Sequence, residues 1–478
     1  MRSIKEQILS GIFFTSIAKY ANLIVSLGVT AVLARLLAPE QFGIVAIAMV
    51  SITFLNLVSD IGLFPAVIQF KTLRKTDLSK LFSLSCYIGL GLSLMLLISA
   101  SIIATYYNQA QLRPVLQLLS IHLFFTTISV VPNALFYRKR MFKFIAVRSF
   151  VIQVLGGTIA LIFAYFGAGV YALLINPILS SILMFLVSYL RFPLHFQFKF
   201  SILPLRYVFR YSVFQFLFNI INYFSRNADT LLVGKYIGMT SLGYYDKAYQ
   251  LMSLPLQNIT QVITPVIHPI LSMYTGDHNK LILANEQMIR LLALIGFPLS
   301  VFCFFSAEQL VLVLFGPQWI QAVPSFRILS MSIGIQLILS SSGSIFQSIG
   351  NTKYLFVCGL FSAVLNVSGI LLGIFYYESI VAVATCLVIT FSINFLFTYL
   401  LMYTILFKIK IWRFLKLLIK PILFSLVLSI FLYLLSIFNA ELVWMQLVMN
   451  MIFFIVSFLV FVWFGGYRDL INQFLRRR

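Results

Sequence analysis

The sequence predicts an all-α integral membrane protein, and three observations carry that prediction. The chain of 478 residues is 61% hydrophobic and only 10% charged, whereas roughly a quarter of the residues of soluble domains are charged. Its mean hydropathy is +1.02. The apolar residues form long continuous runs. Such runs are typical of membrane-spanning helices, which need about 20 apolar residues each, and not of transmembrane barrels, whose strands alternate.

Polar breaks between these runs predict about fourteen transmembrane helices. In chain order the predicted helices cover residues 8–34, 41–66, 81–104, 114–136, 149–166, 170–190, 208–234, 243–271, 288–314, 325–348, 355–376, 380–406, 421–438 and 442–464. We predict a first six-helix lobe in residues 1–207 and a second in residues 208–407. Two extra helices and a basic tail follow in residues 408–478.

An internal echo with a period of about two hundred residues supports the two-lobe prediction. Segment 35–48 is echoed by segment 235–248, which aligns Gly43 with Gly243. A second segment, QLRPVLQLLSI from Gln111, is echoed by QAVPSFRILSM from Gln321. Two lobes in parallel orientation, related about the membrane normal, are a recurring plan among transporters.

The distribution of basic residues predicts the orientation in the membrane. Of the 34 Lys and Arg residues, 27 fall at the two termini and in or beside the even-numbered gaps, whereas Arg35 and Arg113 fall on the opposite side at helix ends. The remaining five lie in or at the edges of helices; they are Lys19, Arg226, Lys235, Lys247 and Arg327. Basic residues concentrate on the cytoplasmic side of membrane proteins, so both termini are predicted to be cytoplasmic. The same rule explains the net charge of +22 without a nucleic-acid partner.

The sequence offers no sign of metal, cofactor or enzyme chemistry. Its cysteines lie singly in apolar runs, without the spacing of a metal or disulfide framework; they are Cys86, Cys303, Cys358 and Cys386. Neither a nucleotide-binding glycine loop nor a catalytic triad can be recognised. The gaps between the predicted helices are too short to fold as a soluble catalytic domain. We therefore expect no cofactor, no metal and no enzymatic activity.

Two motifs resemble the bacterial polysaccharide transporter family. They are ARLLAPEQFGIVAIAMV followed by SDIGLFPAVIQ, from Ala34 to Gln69, and FGPQWIQAVPSFRILS, from Phe315 to Ser330. This family contains flippases for lipid-linked oligosaccharides and belongs to the multidrug/oligosaccharidyl-lipid/polysaccharide exporter superfamily. The resemblance implies a multi-pass flippase of the bacterial cytoplasmic (inner) membrane. Its substrate would be an oligosaccharide on a polyprenyl pyrophosphate, moved during synthesis of lipopolysaccharide O-antigen or exopolysaccharide.

Charged side chains inside the apolar runs are the candidate functional residues, because burying them in lipid is costly. Lys19 lies in the middle of the first predicted helix, and Asn22 follows one turn later. We interpret both as lining a cavity in which Lys19 would meet a pyrophosphate or an acidic sugar. The alternative is that Lys19 extends along the helix to the cytoplasmic headgroups.

The seventh predicted helix carries a second polar stripe, with members three or four residues apart. The stripe comprises Gln215, Asn219, Asn222, Arg226 and Asp229, and Tyr223 lies beside it. Polar stripes on membrane helices face protein or water. We interpret the amides, Tyr223 and Arg226 as substrate-binding groups, and Asp60 and Asp229 as candidates for coupling or gating. Alternatively, Arg226 and Asp229 form an intrahelical ion pair.

Two other classes of protein remain as alternative functions. A cation-coupled drug or metabolite antiporter of the same fold would favour buried carboxylates, of which only Asp60 and Asp229 are candidates. A polytopic polysaccharide polymerase or ligase would need a sizeable external loop, and the predicted external gaps are short. The expected partners are the lipid-linked oligosaccharide, membrane lipid and other polysaccharide assembly proteins.

Overall fold

The computed structural model describes most of the chain. The described ranges are 4–59, 62–70, 72–198, 220, 222–272, 278–349, 351–437 and 442–466, with side chains described outside residues 4–14, 261–278 and 352. The chain divides into two compact units, Met1–Gly243 (unit 1) and Tyr244–Arg478 (unit 2). The predicted lobe boundary at residues 207 and 208 lies outside the described residues, and the predicted lobes stay a prediction.

Unit 1 contains eight helices and the start of a ninth within the described ranges. They are α1 (Ile4–Leu36), α2 (Pro39–Ser59), α3 (Leu63–Gln69), α4 (Lys75–Tyr106), α5 (Leu112–Arg138), α6 (Phe142–Tyr165), α7 (Val170–Arg191), α8 (222–236) and α9 (Met239–Ser272). Within the unit, α5 packs against α4 and α7, and α6 packs against α1 and α7. Gly157 of α6 permits close packing on α1, because a Cβ there would lie 2.5 Å from a methyl group of Val29.

Unit 2 continues from α9. Its further helices are α10 (His278–Phe305), α11 (Ala307–Phe315), α12 (Val323–Ser330), α13 (Ile333–Leu339), α14 (Ser342–Ser348), α15 (Thr352–Phe375), α16 (Ile380–Leu401), α17 (Trp412–Ile437) and α18 (Val443–Phe464). A 3₁₀ turn at Pro317–Ala322 precedes α12, and a π-helical turn at Met402–Leu406 extends α16. The helix α10 packs on both α13 and α17, and α15 packs on α16.

The described helices confirm an all-α, multi-pass membrane protein. Eleven of them are long and apolar enough to cross a membrane, and a bent pair, Pro317–Ser330 with Ile333–Ser348, would make a twelfth. The bend within this pair is 48°. The count of fourteen helices and the orientation of the termini stay predictions.

Three predicted helices are wrong in that each is interrupted. The predicted helix 41–66 divides into α2 and α3, and Gly62 at the N-cap of α3 has a φ of 78°, which glycine adopts without strain. The predicted helix 288–314 divides into α10 and α11 at Ser306. The predicted helix 325–348 divides into α12, α13 and α14.

Serine side chains explain the last of these interruptions. Hydroxyl groups between α12 and α14 donate to the backbone carbonyl three residues earlier; the donors are Ser330, Ser332, Ser340, Ser341 and Ser342. Such bonds compete with the helical ladder and bend helices. The run of apolar residues was continuous enough to predict one helix, but the serines break it.

The starts of α2 and α9 cross at two glycines, in a reciprocal contact within unit 1. A Cβ on Gly43 would collide with the carbonyl oxygen of Met239, and a Cβ on Gly243 would collide with the carbonyl oxygen of Pro39. Each glycine therefore lets its helix approach the backbone of the other. These two glycines are the ones that the internal echo aligns.

Candidate functional site

Lys19 and Asn22 lie on one side of α1, one turn apart. Lys19 is partly buried, and its Nζ atom lies 5.8 Å from the centroid of the Tyr20 ring. Among the residues whose side chains are described, no carboxylate pairs with it. The Oδ1 atom of Asn22 is buried and accepts no hydrogen bond from the described residues. This face of α1 therefore presents a positive charge beside an unused acceptor.

Only part of the predicted stripe on α8 falls within the described residues. Gln215 and Asn219 lie outside them, as does Asp60. Asn222 is partly buried and the side chain of Arg226 is exposed. The guanidinium of Arg226 is thus placed where an anion could reach it.

Tyr223 lies in the contact between α8 and α2. Its hydroxyl group donates to the backbone carbonyl of Val50, and its ring packs 5.8 Å from that of Phe54 and 5.7 Å from that of Phe224. Only 8% of the residue is exposed. The structure therefore gives Tyr223 a role in fixing α8 to α2, beside the substrate-binding role that the sequence predicts.

Asp229 is the buried carboxylate of α8, with 5% of the residue exposed. One of its carboxylate oxygens, Oδ1, accepts from the backbone N–H of Thr230 at 2.8 Å. Charge-assisted hydrogen bonds of this kind stabilise an ionised carboxylate. The hydrogen bond orients Asp229 on the helix.

The far end of α8 is tied to the end of α4. The hydroxyl of Tyr107 donates to the carbonyl of Leu231 at 3.3 Å, and the ammonium of Lys235 donates to the carbonyl of Tyr106. Lys235 also lies 4.4 Å from the centroid of the Tyr106 ring. Burial raises the pKa of Tyr107, as does the neighbouring Tyr106. Together with Tyr223, these bonds hold α8 to α2 and to the end of α4.

A buried arginine on α6 is a polar group that the sequence analysis did not single out. Arg148 is 5% exposed, and its guanidinium donates to Ser188 Oγ at 2.8 Å and to Asn133 Oδ1 at 2.7 Å. It lies 4.7 Å from the centroid of the Phe136 ring, and its Nε–H has no acceptor among the described residues. The sequence places Arg148 in a basic cytoplasmic gap, but α6 begins earlier than predicted and buries it.

Unit 2 contains an ion pair between an exposed arginine and a buried carboxylate, which the sequence analysis also missed. The Nε and Nη2 atoms of Arg413 on α17 lie 2.5 and 3.2 Å from the two carboxylate oxygens of Glu286 on α10. The side chain of Glu286 is 7% exposed and that of Arg413 is 47% exposed. The pair joins α17 to α10; its hydrogen bond runs from Nη2 to Oε2, and Oε1 accepts none from the described residues.

The charged candidates within the described parts of α1 and α8 include two cations, Lys19 and Arg226. Among the described residues, no group of three or more His, Cys, Asp or Glu side chains could hold a metal ion. Lys19 on α1 is a partly buried cation, and Arg226 on α8 is an exposed one. Cations on membrane helices mark substrate or ion pathways.

Comparisons with known proteins confirm the resemblance seen in the sequence. The model of a family described as "Polysaccharide biosynthesis protein" matches residues 32–324. The teichuronic acid biosynthesis protein TuaB of Bacillus subtilis (strain 168) is 25% identical, over 89% of this chain and 88% of TuaB. The lipopolysaccharide biosynthesis protein WzxC of Escherichia coli (strain K12) is 24% identical, over 78% of this chain and 76% of WzxC.

Solved structures show the same fold. The lipid II flippase MurJ in an inward closed conformation aligns with a TM-score of 0.76 at 16% identity, over 96% of this chain and all of the MurJ chain (100%). A multidrug resistance MATE family transporter in an inward-facing conformation aligns with a TM-score of 0.61 at 16% identity, over 79% of this chain and 93% of that chain. The chain therefore shares its fold with both transporters.

Proposed function

The chain belongs to the family of polysaccharide biosynthesis proteins, and we propose that it is a flippase for lipid-linked oligosaccharides. It moves oligosaccharide repeat units on a polyprenyl pyrophosphate carrier from the cytoplasmic to the periplasmic leaflet of the bacterial inner membrane. The units serve synthesis of lipopolysaccharide O-antigen or exopolysaccharide.

The observation that carries this proposal is the family match over residues 32–324. The relatives support it, because the succinoglycan biosynthesis transport protein ExoT of Rhizobium meliloti (strain 1021) is named as a transporter and is 26% identical over 72% of this chain and 69% of ExoT. Similarity over most of TuaB supports a polysaccharide substrate. The alignment with MurJ supports a fold that is able to flip a lipid-linked sugar.

The proposal includes the finer topology that the sequence predicts. The chain crosses the membrane about fourteen times, as two six-helix lobes and two further helices, with both termini cytoplasmic. The clustering of basic residues in the even-numbered gaps supports this orientation. A membrane potential negative inside then favours outward movement of an anionic headgroup by about 2.3 kcal/mol per charge per 100 mV.

The polar groups of α1 and α8 supply the substrate contacts in this proposal. Lys19 and Arg226 attract the pyrophosphate, while Asn22 and Asn222 offer amide groups to sugar hydroxyls. Outside the described residues, Gln215 and Asn219 extend the same predicted stripe, and Asp60 is a coupling candidate with Asp229. Transport proceeds by alternating access, with the polyprenyl tail remaining in lipid.

The first test measures polyprenyl-pyrophosphate-linked oligosaccharide in a strain that lacks the gene and in the complemented strain. Accumulation of complete units inside the cell, together with loss of surface polysaccharide, is the expected result. Units that reach the periplasm and fail only to polymerise would instead indicate a polymerase. An unchanged pool with normal surface polymer would contradict the proposal and favour an antiporter of the same fold.

The second test asks whether Lys19 and Arg226 bind the substrate. Lys19→Gln and Arg226→Gln are each expected to lower surface polysaccharide while leaving the amount of protein in the membrane unchanged. Lys420→Gln removes one charge from an exposed position of α17 and is the matched control. Wild-type activity in both the Lys19 and the Arg226 variants would exclude the substrate-binding assignment without contradicting the flippase function.

A further inference from the structure

Unit 2 carries an apolar groove near the start of α17. The groove has a volume of about 360 Å³ and is lined by side chains of α15, α16 and α17, among them Phe361, Leu396, Leu400 and Leu415. Ile411, in the connector before α17, also lines the groove. All of these lining side chains are apolar, so the groove suits a hydrocarbon chain.

The floor of the groove is built from packed rings. The centroids of Phe361 and Phe397 lie 4.0 Å apart, and Phe414 stacks on Tyr399 at 4.3 Å with an interplanar angle of 6°. Phe414 and Tyr399 belong to a cluster of buried hydrophobic residues in unit 2. A floor fixed in this way keeps the shape of the groove when no ligand is bound.

The side of the groove formed by α16 is exposed. Ile393, Leu396 and Leu400 are 42%, 55% and 47% exposed, and α15, α16 and α17 are all long and apolar enough to span the membrane. In a bilayer such surfaces contact lipid chains. The groove is thus open to the acyl region of the membrane.

One end of the groove meets a positively charged connector. Lys408 and Lys410 are exposed and stand next to Ile411. No Asp or Glu occurs between Glu378 and Glu441. The buried carboxylate of Glu286 is paired with Arg413, so it does not neutralise these lysines.

Trp412 supports the placement of this end of the groove at the level of the lipid headgroups. It is 57% exposed and follows the two lysines directly in the sequence. Tryptophan is enriched at the level of the lipid headgroups. The connector therefore combines an exposed tryptophan, two exposed ammonium groups and an adjoining apolar groove.

We propose that this groove binds an anionic phospholipid of the bilayer. One acyl chain lies along α16 from Leu400 towards Ile393, and the phosphate lies against Lys408 and Lys410. The distance from Ile393 to Leu400 is about 10 Å along a helix, which matches the upper part of an acyl chain and is short for a long polyprenyl tail. Basic pockets between transmembrane helices bind anionic headgroups in this way.

The test counts the lipids retained by the purified full-length protein in a mild detergent, by native mass spectrometry. Phosphatidylglycerol is titrated against phosphatidylcholine with the same acyl chains. We expect tighter binding of one phosphatidylglycerol molecule. Lys408→Gln with Lys410→Gln should weaken it by about fivefold per lysine and leave phosphatidylcholine unchanged.

Two further variants separate the charge from the groove. Lys416→Gln with Lys420→Gln is the matched control, because it removes the same charge from two other exposed positions of α17 on the helix face opposite Phe414 and Leu415. It should leave the first phosphatidylglycerol in place. Leu396→Trp fills the groove and should weaken the binding of both phosphatidylglycerol and phosphatidylcholine.

Three outcomes would overturn the proposal. The first is a loss of phosphatidylglycerol affinity in Lys416→Gln with Lys420→Gln that equals the loss in Lys408→Gln with Lys410→Gln. The second is equal affinity of the wild-type protein for phosphatidylglycerol and phosphatidylcholine. The third is displacement of bound phosphatidylglycerol by polyprenyl phosphate at a lower concentration than that of the phospholipid. The last result would assign the groove to the carrier lipid instead. Because binding is measured without transport, failure here leaves the proposed flippase function untouched.

Discussion

Each of the two units contains an arginine that makes polar contacts with neighbouring helices, but the charge is balanced differently. In unit 1, Arg148 is buried against an amide, a hydroxyl and an aromatic ring. In unit 2, Arg413 meets the buried carboxylate of Glu286 through two nitrogen atoms. The first arrangement keeps a positive charge inside the protein, whereas the second neutralises it.

The difference determines which substitution is costly. Burying a charge without a counter-ion is expensive, and so is leaving one partner of a buried pair alone. In unit 2 the vulnerable group is Glu286, which is less exposed than Arg413. In unit 1 the vulnerable groups are the neutral partners, because removing Arg148 also removes the unbalanced charge.

The largest expected effect is that of Arg413→Ala. It leaves the Glu286 carboxylate buried without its partner, and such a loss destabilises proteins by roughly 3–5 kcal/mol. The measurement is the thermal midpoint of the detergent-solubilised protein, followed by size-exclusion chromatography after heating. Lys416→Ala is the control on the same helix. A midpoint equal to that of the control would show that the pair contributes little.

An intermediate effect is expected for Arg148→Met. Asn133, which is partly buried, loses a donor at a cost of at most about 1–3 kcal/mol, whereas Ser188 keeps its hydrogen bond to the carbonyl of Met184. The cost of the buried charge disappears. We therefore expect a smaller drop in thermal midpoint than for Arg413→Ala.

Arg148→Lys tests the same prediction further. It keeps the positive charge but loses the planar guanidinium group that donates to both Ser188 and Asn133. It should be less stable than Arg148→Met. The reverse order would indicate that an anion balances the charge. Lys75→Met, at an exposed position of α4, controls for removal of a basic residue.

A smaller effect is expected for Glu286→Gln. The amide can still accept a hydrogen bond from Arg413, and the guanidinium, whose side chain is 47% exposed, reaches water or headgroups. We expect a loss of about 1 kcal/mol, again seen as a drop in thermal midpoint. A loss as large as that of Arg413→Ala would contradict the asymmetry inferred from burial.

The smallest effect is expected for Glu286→Leu combined with Arg413→Leu. Replacing both members of a buried ion pair by apolar residues is often neutral or stabilising. The double variant should melt within a few degrees of wild type, well above Arg413→Ala. If it is as unstable as the single variant, the pair positions α17 in a way that packing cannot replace.

The fold class could be predicted from the sequence because lipid imposes a simple rule on long segments. Runs such as 380–406 and 442–464 correspond to α16 with its π-helical turn and to α18, since a continuous apolar stretch in hydrocarbon must be helical. The interruptions were not predictable from hydropathy. The interruption after Ser59 depends on the positive φ of Gly62. The interruptions between α12 and α14 depend on serine hydroxyls. Neither a glycine nor a few serines change the mean hydropathy of the run by much.

The candidate site could be predicted only in part. Lys19 stands out because it interrupts an apolar run. Arg148 and Glu286 do not, since both lie beside other polar residues at the ends of runs. The helices α6 and α10 begin at Phe142 and His278, several residues before the apolar runs do. Burial at these ends is decided by α5, α7 and α17, which pack there from elsewhere in the chain.

The crossing of α2 and α9 has a consequence for the origin of the chain. Gly43 contacts the backbone at Met239, and Gly243 contacts the backbone at Pro39. In the internal echo Gly43 is equivalent to Gly243, and Pro39 is equivalent to Met239. The two contacts are therefore the same contact with the two segments exchanged. Such mutual pairing defines the isologous interface of a two-fold homodimer. The contact is therefore what a duplicated and fused gene would inherit from an ancestral dimer. In that ancestor one glycine codon would have controlled both sides of the crossing, whereas here each side can be changed alone.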